Sequence, residues 1–154
     1  KVYRKARVTS GKLTEEEVAL LEAAEASLEH TWAPYSNFRV AAAILMEDGT
    51  IITGVNQENA AYPAGLCAER VALYRAGAEM PGINIRSMAI TARPPGDEPF
   101  PGITPCGGCH QVMLEFVNRQ NKTFHLIMPL KNQTWLRVNK AEALLPFGFR
   151  TKTL

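Results

Sequence analysis

The sequence has no long apolar run. Nothing in its 154 residues approaches the about 20 apolar positions that a membrane-spanning helix needs. A charged start followed by the apolar centre of a secretory signal is missing too, so the expected compartment is the cytoplasm. Cysteine is scarce. Three residues cannot all pair within one chain, and a disulfide scaffold would use more. Reduced thiols that bind metal or catalyse fit better. There is no internal repeat, no linker and no low-complexity segment. Net charge is also small, 17 basic against 15 acidic side chains. Five of the bases (Lys1, Arg4, Lys5, Arg7 and Lys12) fall in the first twelve residues, which hold no acid. The remainder carries 12 bases against 15 acids. A nucleic-acid binder carries a basic face on its folded domain, not only a basic end. Residues 1–12 therefore read as a solvated extension, and nucleic acid is not expected as a partner.

What remains is the profile of one globular domain, 46% apolar and 21% charged. Thr14-Glu15-Glu16-Glu17 has the form of a capping box. Val18, Leu21, Ala24, Leu28 and Trp32 follow at helical spacing, and Pro34 ends that helix. Strands are predicted over Phe38 to Met46 and Ile51 to Val55, around the hairpin signal Asp48-Gly49. The first is apolar almost throughout and reads as covered on both faces. A loop over 56–66 leads to a helix from about Cys67 to Met80, then a strand from Ile85 to Ala92. Arg93 to Pro105 is a long proline-rich loop, of a kind that often carries function. A helix from about Pro105 to Asn121, strands at Phe124 to Leu130 and Trp135 to Val138, and a short helix at Lys140 to Leu145 complete the chain. The order predicts an α/β fold, a three-layer α-β-α sandwich around one mixed sheet of about five strands.

All three cysteines open predicted helices. Cys106 and Cys109 are three apart and share a helix face, and Cys67 arrives from another helix. Helix N-termini favour thiolates, the form that binds metal. Three protein ligands on zinc leave one tetrahedral position open, as in catalytic sites. Glu69, two residues after Cys67, can sit beside such a metal without ligating it and shuttle protons. Three thiolates make the site electron-rich, and Arg70 is the nearest compensating cation. The combination of C-A-E with P-C-x-x-C is close to a known pattern for zinc nucleobase deaminases. Other readings stay open. Cys106-Gly107-Gly108-Cys109-His110 also matches a c-type haem attachment pattern. A closed, non-catalytic zinc site with His110 as a fourth ligand is another alternative.

The chain resembles the small homotetrameric cytidine deaminases that use three cysteines. The resemblance runs from Pro34 to Phe149 and rests on five segments. These are Pro34-Tyr35-Ser36-Asn37-Phe38, Asn56 through Pro63, Cys67-Ala68-Glu69-Arg70, Pro105 through Cys109, and Leu144 through Phe149. It implies one Zn2+ per subunit on Cys67, Cys106 and Cys109. It implies attack of zinc-bound hydroxide on C4 of cytidine or deoxycytidine, with Glu69 moving the protons, as in pyrimidine salvage. It also implies that the Ala68 backbone meets the base edge, that Asn56 and Glu58 bind the ribose, that Phe38 packs on base or sugar, and that Phe149 closes the pocket. Ala60 and Tyr62 would reach a neighbouring subunit's pocket. Two residues depart from the family pattern. His110 stands where arginine is usual, and Ala41 where glycine is usual. A relative acting on a cytosine-bearing nucleoside antibiotic is the alternative substrate reading.

Overall fold

The computed structural model describes residues 6–9, 12–96, 102–130 and 134–151. Its strands are β1 (Ala6–Thr9), β2 (Arg39–Met46), β3 (Ile51–Val55), β4 (Ile85–Arg93), β5 (His125–Pro129) and β6 (Trp135–Val138). Its helices are α1 (Glu15–Ser27), α2 (Ala68–Glu79) and α3 (Gly107–Gln120). The sheet order is β1-β6-β5-β4-β2-β3. The β4–β5 pair is parallel, because α3 carries the chain across the sheet between them, and the other pairs are antiparallel.

The capping box is present. Thr14 Oγ1 accepts from the Glu17 N–H at 3.2 Å, and Glu17 Oε2 accepts from the Thr14 N–H at 2.9 Å. The buried stripe of α1 differs from the predicted one. Leu20 and Ala24 are buried, and Leu28 continues the stripe from a short 3-10 turn, while Val18 and Trp32 are exposed. Leu21 packs against the same cluster but is only partly buried; Leu20 and Leu21 are adjacent and equally apolar, so spacing alone does not decide which one is fully buried.

β2 is covered on both faces, as its composition predicts. Ala41, Ala43 and Leu45 pack with Leu20, Ala24 and Leu28 of the α1 segment. Ala42, Ile44 and Met46 point the other way, into a core with Leu73 of α2 and Met113 and Phe116 of α3. Each large side chain buried there contributes about 1.5–3 kcal/mol relative to exposure. The sandwich therefore has α1 on one side and α2 with α3 on the other. The predicted hairpin also stands, with Gly49 at φ 90° and Asp48 Oδ1 accepting from the Thr50 N–H at 2.9 Å.

One strand was not expected. Ala6–Thr9 lies inside the basic segment read as a solvated extension, yet it pairs along β6. Four residues of mixed polarity carry too short a pattern to announce an edge strand.

Candidate active site

Two helix starts meet at the site. Cys67 is the N-cap of α2 and Cys106 the N-cap of α3, and neither side chain caps its own helix. Their sulfurs are free to turn toward each other. Cys67 Sγ lies 3.8 Å from Cys106 Sγ, which lies 3.5 Å from Cys109 Sγ. All three sulfurs fall within 4.8 Å of one another. Three sulfurs on a tetrahedral zinc, each at about 2.3 Å, stand about 3.8 Å apart. Soft thiolates in this geometry fit zinc. Among the described residues His110 is not in the cluster, which counts against a closed site with four ligands.

The electrostatics follow from crowding three thiols. The Cys67 thiol is lowered to about 5, chiefly by the hydrogen bond it receives from Cys109, then by Arg70. Cys109 moves up, because it keeps the proton of that same bond. Arg70 Nη2 reaches 3.8 Å from Cys67 Sγ and 3.4 Å from the Gly65 carbonyl. Glu69, in the first turn of α2, is 3% exposed. Burial pushes its carboxyl above 4.5, and the nearby Cys67 thiolate adds to the shift.

These groups form one wall of a cavity of about 550 Å³. Cys67, Glu69, Arg70 and Cys106 line it, with Tyr35, Ser36, Asn56, Glu58 and Tyr62 from the loops around β2 and β3. Ile103 and Thr104, just before α3, also line it. The size falls in the range of small-molecule sites.

A family profile described as the cytidine and deoxycytidylate deaminase zinc-binding region matches residues 14–124, which include Glu69 and all three cysteines. This chain belongs to that deaminase family. The cytidine deaminase of Halalkalibacterium halodurans is 40% identical over 107 residues, 68% of this chain and 75% of that one. The cytidine deaminase of Sporosarcina psychrophila is 40% identical over 100 residues, 64% of this chain and 68% of that one. A crystal structure of the Burkholderia pseudomallei cytidine deaminase is 37% identical, with a TM-score of 0.71, covering 89% of this chain and 100% of that chain.

The predicted deaminase residues are not all brought together. Ala68 is buried in the core beside the thiols. Phe38, Ala60, Ala68 and Phe149 are not among the residues lining the cavity. Tyr62 lines it but is 77% exposed, and Phe149 is 63% exposed. The backbone of Phe149 is tied to α3, since Gln111 Oε1 accepts from its N–H at 3.1 Å and Gln111 Nε2 donates to its carbonyl at 3.0 Å.

Asn56 and Glu58 already have partners within the chain. Asn56 Oδ1 accepts from the Val40 N–H at 2.8 Å, and its Nδ2 donates to the Phe38 carbonyl at 2.9 Å. Glu58 accepts from the N–H groups of Tyr35 and Ser36 and from the Ser36 hydroxyl. Among this deaminase's departures, His110 is half-buried and its Nε2 has no partner among the described residues. Desolvation lowers its pKa, which favours the neutral ring. Ala41 is fully buried against the α1 segment, so its methyl fills core space away from the cavity.

Sequence reasoning passed over Ser36, Ile103 and Thr104 as individual residues. Ser36 sits inside the first segment of the family resemblance, and the other two lie at the end of the loop marked as functional by its length. It also missed Gly54. A Cβ built there would stand 2.3 Å from the Ala72 nitrogen and 2.8 Å from the Ala68 carbonyl oxygen. Only glycine lets α2 lie this close to β3. That approach sets Glu69 among the residues lining the cavity, together with Asn56 and Glu58.

Proposed function

We propose that the chain is a hydrolase acting on cyclic amidines, and that it converts cytidine and deoxycytidine to uridine and deoxyuridine. The carrying observation is the meeting of Cys67, Cys106 and Cys109 at two helix starts with buried Glu69 beside them. One Zn2+ per subunit, held by these thiolates, would supply the Lewis acidity that makes water acidic near neutral pH.

The remaining work falls to the chain. Glu69 accepts a proton from the attacking water at its carboxylate. It passes that proton to the pyrimidine N3, then takes the remaining proton from the C4 hydroxyl and hands it to the departing amine. Water adds at C4, the C4–N bond breaks, ammonia leaves and C4 becomes a carbonyl. A carboxylate with a raised pKa holds a proton better in mid-reaction than one in bulk water. Its burial supports this role. Arg70 holds positive charge beside the thiolates and limits the negative potential facing the base. The Ala68 backbone meets the base edge, and Phe38 packs on base or sugar. Glu58 accepts from a sugar hydroxyl with the lone pairs left to it, and Asn56 fixes that side of the cavity.

The reading includes a homotetramer with shared sites in a cytoplasmic enzyme. The exposure of Tyr62 at the cavity and of Phe149 near the end of the chain supports it, since solvent-facing aromatics fit burial by a second copy. Ala60 and Tyr62 then reach a neighbour's cavity, and Phe149 closes one. Among the described residues no helix is long and apolar enough to cross a membrane.

The test is the ultraviolet band of cytidine and deoxycytidine, followed with zinc-loaded wild type and with Glu69→Ala. Loss of the cytosine band with wild type alone is expected. An unchanged band for both nucleosides, with protein carrying equimolar zinc, would refute the substrate.

A further inference from the structure

Glu58 is clamped by a loop twenty-two residues upstream in sequence. Its Oε2 accepts from the Tyr35 N–H at 2.9 Å and from the Ser36 N–H at 3.2 Å, and its Oε1 accepts from the Ser36 hydroxyl. The Ser36 oxygen is itself held, accepting from the Phe38 N–H at 3.0 Å. The hydroxyl therefore bridges the entry of β2 and the carboxylate. The next residue, Asn37, sits at φ 53°, so the loop turns sharply just after Ser36. Ser36 and Glu58 both line the cavity, well separated in sequence from the thiols of α2 and α3.

A carboxylate accepts only, and each oxygen has two lone-pair directions. With three donors fixed on one side, Glu58 has a narrow remaining arc in which to receive a donor from a ligand. We infer that Ser36 is a positioning residue that aims Glu58 at a sugar hydroxyl and so sets how strongly the enzyme distinguishes a hydroxylated sugar from a bare one. This rests on the proposed nucleoside reading. Ser36 touches no reacting atom in that scheme. Its effect passes through Glu58.

The test compares cytidine with 2′,3′-dideoxycytidine as probes, on zinc-loaded protein, with KM or inhibition constant as readout. Ser36→Ala removes the hydroxyl and leaves both backbone donors. It is expected to raise the cytidine KM about three- to tenfold, the weight of one hydrogen bond, with a much smaller change in kcat. The dideoxycytidine constant is expected to hold, so the preference between the two narrows. Ser36→Thr, which keeps a hydroxyl, is expected to restore the preference. Glu58→Ala serves as the reference and should abolish it.

Two results would overturn the inference while sparing the sugar reading of Glu58. One is a preference that collapses in Glu58→Ala but persists in Ser36→Ala. The other is an equal rise for both nucleosides in Ser36→Ala, the mark of general loosening. A preference that survives Glu58→Ala removes the sugar reading itself, and the inference with it.

Discussion

Gly54 of β3 and Ala72 of α2 approach so closely that a Cβ on the glycine would stand 2.3 Å from the Ala72 nitrogen. The obstacle is backbone, not a side chain that could swing aside. Gly54→Ala must therefore move the helix. The expected cost is about 1–3 kcal/mol, as in other overpacked sites. For a domain of this size that lowers the melting temperature by roughly 2–4 °C per kcal/mol. Activity should fall further than stability, because Cys67 and Glu69 ride on the start of α2. Calorimetry with parallel kinetics checks both. An unchanged melting temperature would mean that the close approach is not kept in solution.

Removing Glu69 should separate metal binding from catalysis. Glu69→Gln keeps the shape of the side chain and all three thiols. Zinc content by atomic absorption is expected to stay equimolar, while kcat falls by about 10²–10⁴-fold, the usual weight of a general acid–base group. Loss of zinc in this variant would reassign Glu69 to holding the site together.

The thiols should behave as one chelate. Cys106→Ala takes away the sulfur that lies close to both others, and equimolar zinc is expected to be lost. A chelator applied to wild type should give the same loss of activity, recovered on adding zinc. Structural zinc contributes folding energy. A fall in melting temperature with the metal is therefore the accompanying sign. Full activity in metal-free protein would rule out the zinc site.

Asn56 ties the end of β3 to the start of β2 through two side-chain bonds, at 2.8 Å and 2.9 Å. Asn56→Ala leaves the Val40 N–H and the Phe38 carbonyl without those partners. About 1–3 kcal/mol of stability should go with them. Asn56→Asp keeps the acceptor and loses the donor, so an intermediate loss is expected in a denaturation series. Equal stability of the wild type and both variants would show that water replaces the bridge.

Acid stability should report on Glu17. This residue is 6% exposed and bonds to the Thr14 N–H and to Arg137 on β6. Desolvation alone would raise its pKa. The Thr14 bond, the Arg137 bond and charge, and then the charge of His125 outweigh that, and the net shift is below 4.5. A depressed carboxylate stabilises the fold above its unfolded pKa, and that contribution is lost as pH falls through the folded value. Stability should thus decline below about pH 4.5, and Glu17→Gln should flatten the slope there. Identical acid limbs for the two proteins would count against the pairing.

Much of the site was legible because its signals are local. Thr14 and Glu17 are three residues apart, and their capping box formed as spelled. Asp48-Gly49 turned the hairpin. The start of a helix is a local event, so the neighbours of Cys67 and Cys106 suffice to place both at helix N-termini. Illegible features depended on distance. β1 became a strand through pairing with β6, more than a hundred residues away. Leu20 is fully buried and Leu21 only partly, though both pack on the sheet-side cluster, because β2 and β4 lie where they do. Glu58 was marked for a ligand, yet its nearest partners are Tyr35 and Ser36, which the tertiary fold alone brings to it.

By itself the sequence determined the chemistry available: three thiols, one carboxylate two residues from the first of them, and an adjacent guanidinium. Side-chain type and helix position settle that, whatever the rest of the chain does. Only the tertiary structure decided that the two helix starts meet, that Glu69 is buried where they do, and that Asn56 and Glu58 line the same cavity. Those outcomes depend on how closely α2 can lie on β3. That separation is set at Gly54 by steric contact between backbones, which short-range sequence patterns do not encode.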